Sequence, residues 1–385
     1  MKNIKLEKHL LARAIALATL AFAANQAQAV NYTFSDMGTL AYADTTPMYS
    51  TGLNDLGQVA GGALWHGDWS YAQATMYNGS SWVYLNGLAD PNDSLAYDIN
   101  NHGVMTGYAN VDASYESYSP MRWEGTSATV LNRIPDDWFT PGVAINNNGQ
   151  IAGVAETNSS GYHPIRWDGT VATEMQTLGG TRTFTNDIND KAEIVGDTYT
   201  ANGDFDVAVY WDTNGNITQL HKLSDTDTDS NAGGINEAGR IVGTVYDPNY
   251  IGRAVIWENS NADPIELTGL PGYTFLQASD INDLDQIVGW GKDANDVFHI
   301  LLWDHGTVTD LNQFFSPELI AAGWTFNTNQ PFINNQGMIV GHMFNSDFTQ
   351  LASWSLTPTS VPVPGAVWLF GSALVGVVGL RRKAA

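Results

Sequence analysis

The sequence predicts an all-β protein: a β-propeller-like domain of seven blades, with an open β-repeat array as the alternative. One observation is a ten-residue phrase, x-Ile-Asn-x-x-Gly-x-(Ile/Val)-x-Gly, which occurs seven times with single substitutions in some copies. Another is the spacing of its asparagines, 46, 46, 43, 47, 46 and 52 residues, a period typical of proteins built from one repeated supersecondary unit. These asparagines define repeats one to seven: Asn54, Asn100, Asn146, Asn189, Asn236, Asn282 and Asn334.

Each phrase predicts a β-hairpin. In the third copy, Ile145 and Ile151 flank a turn of Asn and Gly residues, which tolerate positive φ or cap their own backbone. The turn glycine is replaced by Asp285 in the sixth copy and by Ala192 in the fourth. Because alanine disfavours positive φ, we expect a different turn at Ala192.

An aromatic residue follows each asparagine by 20 to 23 positions and lies in a short β-rich run. Another strand follows that run, which gives about four strands per repeat, the content of a propeller blade. We expect the aromatic side chains to pack neighbouring blades together rather than to form a ligand ladder. They are Tyr77, Trp123, Trp167, Trp211, Trp257, Trp303 and Trp354.

The last glycine of the phrase is present in all seven copies, although glycine weakens a strand. It therefore indicates a place where backbones crowd or bulge, and we expect a ring of glycines near the axis. These residues are Gly61, Gly107, Gly153, Gly196, Gly243, Gly289 and Gly341.

The two ends of the repeat region complement each other. Residues 32–40 resemble the strand that follows each aromatic, and this strand is missing after Trp354. An N-terminal strand that completes the last blade would close the ring and remove an exposed sheet edge.

The termini predict export. Residues 1–29 combine a basic start, an apolar stretch and an exit at Ala27 and Ala29, which together form a signal peptide with a signal helix. The repeat domain covers 30–356, and 357–364 form a proline-rich linker with Pro362 and Pro364. Residues 365–380 are predicted as a transmembrane helix, and 381–385 as a basic cytoplasmic tail with Arg381, Arg382 and Lys383.

The composition excludes several functional classes. Without the signal and the basic tail, the body has 9 basic and 39 acidic residues, a net charge of about −30, which disfavours nucleic-acid binding. The chain has no cysteine, so disulfides, thiolate metal sites and thiol nucleophiles are excluded.

The repeats resemble the HAF repeats of bacterial exported proteins in Asp36 to Leu40, Ile235 to Gly243 and Arg253 to Trp257. That resemblance implies no known catalytic activity. The tail, Val361 to Ser372 followed by the basic end, is similar to a PEP-CTERM sorting signal. This second resemblance implies recognition by an exosortase and delivery to the cell surface or an exopolysaccharide matrix of a Gram-negative bacterium. A plain C-terminal anchor is the alternative.

No catalytic motif is present: the sequence has no nucleophile elbow, no His-Glu-x-x-His and no phosphate loop. The densest oxygen-ligand candidate is the 224–231 loop, where Asp225, Asp227 and Asp229 alternate. Because this loop lacks the glycine and the glutamate of a helix-loop-helix calcium site, we expect a solvated acidic loop, with Ca²⁺ binding as the alternative. No other cofactor is predicted.

These observations predict a non-catalytic interaction module at the cell surface or in the extracellular matrix, anchored transiently in the inner membrane through its C-terminal helix. Its predicted partners are exopolysaccharide or surface proteins, and signal peptidase and an exosortase are its processing enzymes. The alternative is an extracellular carbohydrate-active hydrolase or lyase that uses carboxylates on the loop faces.

Overall fold

The computed structural model describes residues 31–38, 48–65, 68–85, 93–111, 118–125, 127–158, 160–203, 206–325, 330–346 and 351–359. The chain divides into two compact units. Phe34–Thr357 form the larger unit, and Met1–Thr33 with Pro358–Ala385 form the smaller. In the smaller unit the hydroxyl of Thr359 donates to the backbone carbonyl oxygen of Asn31 at 3.1 Å. The predicted signal peptide and residues 360–385, which include the whole predicted sorting signal from Val361 onward, lie outside the described residues.

The strands follow the repeats in order. The N-terminal strand is β1 (Asn31–Asp36). Repeat one contains β2 (Met48–Leu53), β3 (Val59–Trp65), β4 (Asp68–Tyr77) and β5 (Trp82–Tyr84). Repeat two contains β6 (Ser94–Ile99), β7 (Val104–Asn110), β8 (Tyr118–Glu124) and β9 (Ser127–Val130), followed by β10 (Asp137–Phe139). Repeat three contains β11 (Gly142–Ile145), β12 (Ile151–Thr157), β13 (Gly161–Asp168) and β14 (Val171–Glu174).

The later repeats have the same organisation. Repeat four contains β15 (Gly179–Ile188), β16 (Ile194–Thr200), β17 (Asp206–Trp211) and β18 (Ile217–Gln219). Repeat five contains β19 (Ser230–Ile235), β20 (Ile241–Tyr246), β21 (Gly252–Trp257) and β22 (Ile265–Glu266). Repeat six contains β23 (Tyr273–Ile281), β24 (Ile287–Asp293), β25 (Phe298–Asp304) and β26 (Thr307–Asp310). A 3₁₀ turn (Leu311–Phe314) and the helix α1 (Pro317–Ala321) precede repeat seven, which contains β27 (Phe332–Ile333), β28 (Ile339–Phe344) and β29 (Leu351–Thr359).

The sheets correct the predicted architecture of seven separate blades. Five sheets have four strands each, while repeats two and three share a single nine-stranded sheet. The strand β10 joins them, because Phe139 pairs with Tyr118 of β8 in parallel and with Glu156 of β12 in antiparallel orientation. Its ring also lies 5.4 Å from that of Tyr108. The prediction of seven separate blades is therefore wrong, since in the described part of the chain only five repeats form separate four-stranded blades.

The predicted transmembrane helix is not part of the observed fold. Within the described ranges, no helix has the length and apolar character needed to cross a membrane. The two helical segments there are the 3₁₀ turn and α1, of four and five residues. The stretch 365–380 itself lies outside these ranges.

The N-terminal strand completes the last sheet, whose order is β1, β29, β28, β27. Within the larger unit, the backbone N–H of Met37 donates to the carbonyl oxygen of Ser353 at 3.1 Å. The rings of Phe34 and Phe315 lie 5.3 Å apart. The sheet order thus confirms the closing strand that the sequence predicts, and an open array is excluded.

The hydrophobic core lies between successive sheets rather than within one of them. One cluster joins Ala144 of repeat three to Ile194 and Trp211 of repeat four. Another joins Val340 of repeat seven to Met48 of repeat one. Because each sheet buries both faces against its neighbours, the stability of the ring depends on contacts between repeats.

In repeats one to six, a β-bulge in the first strand lies opposite the last glycine of the phrase. The register of the first strand shifts between Ser50 and Gly52 in repeat one, and at the equivalent place in repeats two to six. A Cβ atom on Gly107 would lie 1.9 Å from the carbonyl oxygen of Leu95, so only glycine allows this approach. The glycines occupy the second strand and face the bulge. They do not line the axial cavity, so the expected axial ring of glycines is wrong.

Candidate functional site

An axial cavity of about 700 Å³ lies at the centre of the ring. The first strand of every repeat contributes to its wall. The bulges direct an additional side chain toward this wall, as with Thr51, Tyr97, Val143 and Asn186. A cavity of this volume is in the range of small-molecule and saccharide sites.

A closed ring of side-chain hydrogen bonds lies along one part of this wall. The seven repeat asparagines are buried, and each donates its Nδ2 amide to the backbone carbonyl oxygen of the asparagine in the next repeat. The seven distances run from 2.9 to 3.2 Å, and Asn334 closes the ring by donating to Asn54. The Oδ1 atom of Asn54 accepts from the backbone N–H groups of Leu56 and Gln58, so the same side chain also holds its own turn.

A second closed ring is formed by the residues that follow these asparagines. Each backbone N–H donates to the side-chain oxygen of its counterpart in the next repeat, at 2.6 to 2.9 Å. The members are Asp55, Asn101, Asn147, Asp190, Glu237, Asp283 and Asn335. Both rings pass through all seven repeats, so hydrogen bonds link each repeat's part of the cavity wall to that of the next repeat around the axis.

Ala192 does not change the turn of the fourth repeat. Its φ of 61° lies in the left-handed region, as does that of Gly57 at 74° in the first repeat. Its N–H donates to the carbonyl oxygen of Asn189 at 2.9 Å, the equivalent of the bond from Gly57 to Asn54. The expectation of a different turn is therefore wrong, because the two rings hold the fourth turn in the shape of the others.

Three aspartates project into the cavity from alternate repeats. Asp98, Asp187 and Asp280 lie two residues before their repeat asparagines, and each is half-buried. Each accepts a 2.8 Å hydrogen bond from the backbone N–H of an isoleucine in the next repeat, at Ile145, Ile235 and Ile333.

The intervening repeats leave space for these carboxylates. The equivalent position in repeat one is Gly52, where a Cβ atom would lie 2.6 Å from Oδ1 of Asp98. In repeat five it is Gly234, where a Cβ atom would lie 3.1 Å from Cα of Asp280. The alternation of aspartates with small residues is therefore a packing requirement of the wall.

Burial alters the acidity of these groups. Removal from bulk water raises the pKa of Asp98 to about 7 and that of Asp280 to about 6, despite the backbone N–H groups that favour the ionised form. Burial, and then the charge of Asp280, raises the pKa of Asp187 well above its usual range. These three carboxyls are therefore harder to ionise than exposed aspartates.

Two further polar atoms in the wall have no hydrogen-bond partner among the described residues: Oγ of Ser50 and Nδ1 of His342. Ser50 is 2% exposed. Burial lowers the pKa of His342 to about 4, and the carbonyl oxygen of Ser50 bonds to its ring. A carbonyl only accepts, so the bonded ring nitrogen carries the proton and Nδ1 is an acceptor.

The predicted calcium ligands do not converge. Asp225 is exposed, while Oδ1 of Asp227 lies 2.5 Å from Nη2 of Arg253 and its Oδ2 accepts from the N–H of Ser224 at 2.8 Å. Oδ1 of Asp229 accepts from the backbone N–H of Asp206 at 3.2 Å. In the described part of the chain, no three His, Cys, Asp or Glu side chains are placed to hold a metal ion. The solvated acidic loop stays a prediction, with calcium binding as its alternative.

The six repeat tryptophans lie away from the cavity, and each is at most 5% exposed. Several bond to the connection that leads from the preceding repeat. Nε1 of Trp167 donates to the carbonyl oxygen of Asn132 at 2.8 Å, and Nε1 of Trp211 donates to that of Gln176 at 2.8 Å. Trp257 and Trp303 make the equivalent bonds to His221 and Thr268. These side chains hold neighbouring repeats together.

The fold defines this chain as a β-propeller protein. The β-propeller domain of the Trilobed protease from Pyrococcus furiosus is similar, with a TM-score of 0.51, 10% identity, and coverage of 82% of this chain and 94% of that domain. A post-proline cleaving enzyme from Rickettsia typhi has a TM-score of 0.50 and 11% identity over 77% of this chain and 49% of the enzyme. A prolyl endopeptidase has a TM-score of 0.49 and 10% identity over 80% of this chain and 48% of the enzyme.

These similarities show the fold alone, because the identities are low. The chain spans about half the length of the two whole peptidases that it matches. No protein-family model matches the sequence, and no curated protein matches it.

Sequence reasoning identified the repeat asparagines but not the three wall aspartates. A signal for them existed: the residues two positions before the asparagines read Gly52, Asp98, Ala144, Asp187, Gly234, Asp280 and Phe332. Aspartate alternates there with a small residue in the first six repeats, and an ionisable residue at a fixed place in a buried strand indicates a special environment.

Proposed function

We propose that this protein is an exported, non-catalytic β-propeller interaction module that binds a polar ligand in its axial cavity. The observation that supports this most strongly is the cavity itself, a polar space of about 700 Å³ whose wall is tied by two closed rings of hydrogen bonds. A wall held in this way is preorganised, and preorganisation reduces the entropy lost on binding.

The chemistry of the wall favours binding over catalysis. Each of the three aspartates is already bonded to backbone N–H groups of its own and of the next repeat, so it holds the wall in place. Ser50 has no hydrogen bond from its hydroxyl to His342 within the described ranges, so no activated serine is formed there. A fixed polar wall recognises hydroxyl and amine groups without performing a reaction on them.

We propose further that the protein acts at the cell surface or in an extracellular matrix of a Gram-negative bacterium. The support is the signal-like residues 1–29 and the tail that resembles a PEP-CTERM signal, with Pro362 and Pro364 before Arg381 to Lys383. Signal peptidase and an exosortase would process these ends. The acidic body, about −30 in charge, suits solubility outside the cell.

One observation favours the alternative of a carbohydrate-active hydrolase or lyase. Burial raises the pKa of Asp98 to about 7, the range in which a carboxyl acts as a proton donor at neutral pH. A glycan array combined with an activity screen on the exopolysaccharide of the native cells distinguishes the two. Retention without product supports the interaction module, whereas release of new reducing ends would replace it with an enzyme.

A further inference from the structure

We propose that the axial cavity binds an organic polycation, a molecule with several primary ammonium groups, and that these groups face Asp98, Asp187 and Asp280. This inference rests on the proposed function, because it assigns a ligand class to the cavity that the function requires.

The ionisable side chains that line the cavity favour a positively charged ligand. Seven acidic side chains line the cavity, and no Lys or Arg of the described residues does. A concave site lined by one sign of charge between low-dielectric walls concentrates the field and attracts ions of the opposite sign. The seven are Asp55, Asp98, Asp187, Asp190, Glu237, Asp280 and Asp283.

The three carboxylates lie at separate places in the cavity wall. Asp98, Asp187 and Asp280 belong to alternate repeats, and each is fixed by a backbone N–H of the next repeat. Among the described residues they do not form a group of three that could chelate one metal ion. A ligand that satisfies all three must therefore carry its positive charges at several separate positions.

Two buried polar atoms without a hydrogen-bond partner among the described residues support the same ligand class independently of the carboxylates. Oγ of Ser50 and Nδ1 of His342 are buried in the wall without a partner among the described residues, and burial of a polar group without a hydrogen bond is unfavourable. Nδ1 of His342 is an acceptor, and the hydroxyl of Ser50 can also accept. An ammonium group has three N–H donors and no acceptor, so it matches both atoms and the carboxylates.

Free polyamines and the amino sugars of a de-N-acetylated polysaccharide share this chemistry, so the test includes both. Full-length mature protein is titrated calorimetrically at pH 8 and low salt with spermidine, with a glucosamine trimer, with the N-acetylglucosamine trimer as an uncharged match, and with CaCl₂. The variants Asp98→Asn and Asp187→Asn remove the charge and keep an oxygen for one of the two backbone N–H groups that each carboxylate accepts, so thermal melting verifies that each variant is folded. Asp296→Asn is the matched control, because Asp296 is 89% exposed and outside the cavity.

The expected result is saturable binding of at least one amine ligand, weakened about tenfold or more by Asp98→Asn and by Asp187→Asn and unchanged by Asp296→Asn. Binding of spermidine alone identifies a free polyamine, and binding of the glucosamine trimer identifies polysaccharide amines. Equal weakening by all three variants would assign the binding to the acidic surface and overturn the inference. Retention of the uncharged trimer without either amine would overturn it while leaving the proposed function intact, and binding of no ligand would remove the support for both.

Discussion

The side-chain amide of Asn334 donates to the backbone carbonyl oxygen of Asn54 at 2.9 Å, across 280 residues of sequence. This bond joins the last repeat to the first with the same atoms that join every other pair of neighbouring repeats. The hairpin asparagine is therefore both a turn residue and an inter-repeat tie. The ring is closed at its inner wall by this bond and in its last sheet by the N-terminal strand.

The ring of asparagine hydrogen bonds predicts that Asn100→Asp lowers the free energy of unfolding. The new carboxylate still accepts from the N–H groups of His102 and Val104, but it cannot donate to the carbonyl oxygen of Asn146. A lost donor and a carboxylate placed beside a buried carbonyl should lower the free energy of unfolding by about 2 to 4 kcal/mol. Urea denaturation measures this loss.

Asn78→Asp is the control for that substitution. Asn78 accepts from the N–H groups of Ser80 and Ser81 in an exposed turn, and within the described ranges its side chain bonds only inside that turn. The Asn78→Asp substitution should change the free energy of unfolding by no more than about 0.5 kcal/mol. Similar losses at Asn78 and Asn100 would mean that the asparagine acts in its own turn only.

The wall aspartates predict that stability falls as pH rises from 5 to 8. In the folded protein the pKa of Asp98 is about 7 and that of Asp280 is about 6, whereas in the unfolded chain they have ordinary values near 4. Between these values the folded state binds more protons, so the free energy of unfolding decreases with pH, by at most about 1.4 kcal/mol per unit for each carboxyl. Asp197, with a pKa of about 7, acts in the same direction.

Within this pH range, His342 opposes the trend. Burial lowers the pKa of His342 to about 4, so the stability that its neutral ring contributes is lost as pH falls from about 6.5 to 4. The carboxyls outnumber it, and the net result is a higher melting temperature at pH 5.5 than at pH 8. Asp98→Asn removes one titrating carboxyl and should therefore flatten the dependence of stability on pH. A melting temperature that rises steadily toward pH 8 would show that these carboxyls are ionised without penalty.

The bulge opposite the last glycine predicts that Gly107→Ala is severely destabilising. The new methyl group would lie 1.9 Å from the carbonyl oxygen of Leu95, so the first strand of repeat two must move. A loss of about 3 kcal/mol or more is expected, because both partners are backbone in a packed sheet. Gly169→Asn serves as the control, since Gly169 has open space at its Cβ position and a φ of 63° that asparagine tolerates. A loss at Gly107 no larger than that at Gly169 would rule out the bulge as the reason for the repeated glycine.

The closing strand predicts that removal of residues 30–38 lowers the stability of the whole ring. The deletion removes the N–H of Met37 that bonds Ser353 and exposes the edge of β29. A single unfolding transition at a melting temperature more than about 5 °C lower is expected, since the sheets share their cores with their neighbours. Hydrogen exchange confined to repeat seven, with an unchanged melting temperature, would indicate fraying of one sheet instead.

Periodicity predicted much of this fold. The β-propeller, its hairpins and its closing strand follow from the phrase around Asn54 and its six copies, because a repeated phrase imposes the same local structure each time. The prediction of separate blades for repeats two and three failed because β10 lies in a connection without a counterpart in the other repeats. No periodicity marks Asp137 to Phe139 as a strand.

The cavity wall was harder to predict for a physical reason. Asp98 and Gly52 occupy the same position in successive repeats, but their complementarity appears only when the strands curve into a ring and face each other across neighbouring repeats. The direction of the Asn100 amide, toward the next repeat rather than its own turn, depends on the same curvature. The local sequence determines the conformation of each turn, whereas closure of the ring of repeats determines which residues the turn contacts.

Retention of exopolysaccharide by a variant with a narrowed cavity tests directly whether the axial cavity is the binding site. Val143 is half-buried in the cavity wall, so Val143→Trp narrows the cavity without changing its charge, while Val130→Trp adds the same bulk at a site that is 43% exposed. Immobilised wild-type protein and both variants are compared for retention of polysaccharide from the native cells, with thermal melting to verify the fold. Retention is expected for the wild type and for Val130→Trp, and loss of retention for a folded Val143→Trp. Equal retention by all three would contradict a binding site in the axial cavity.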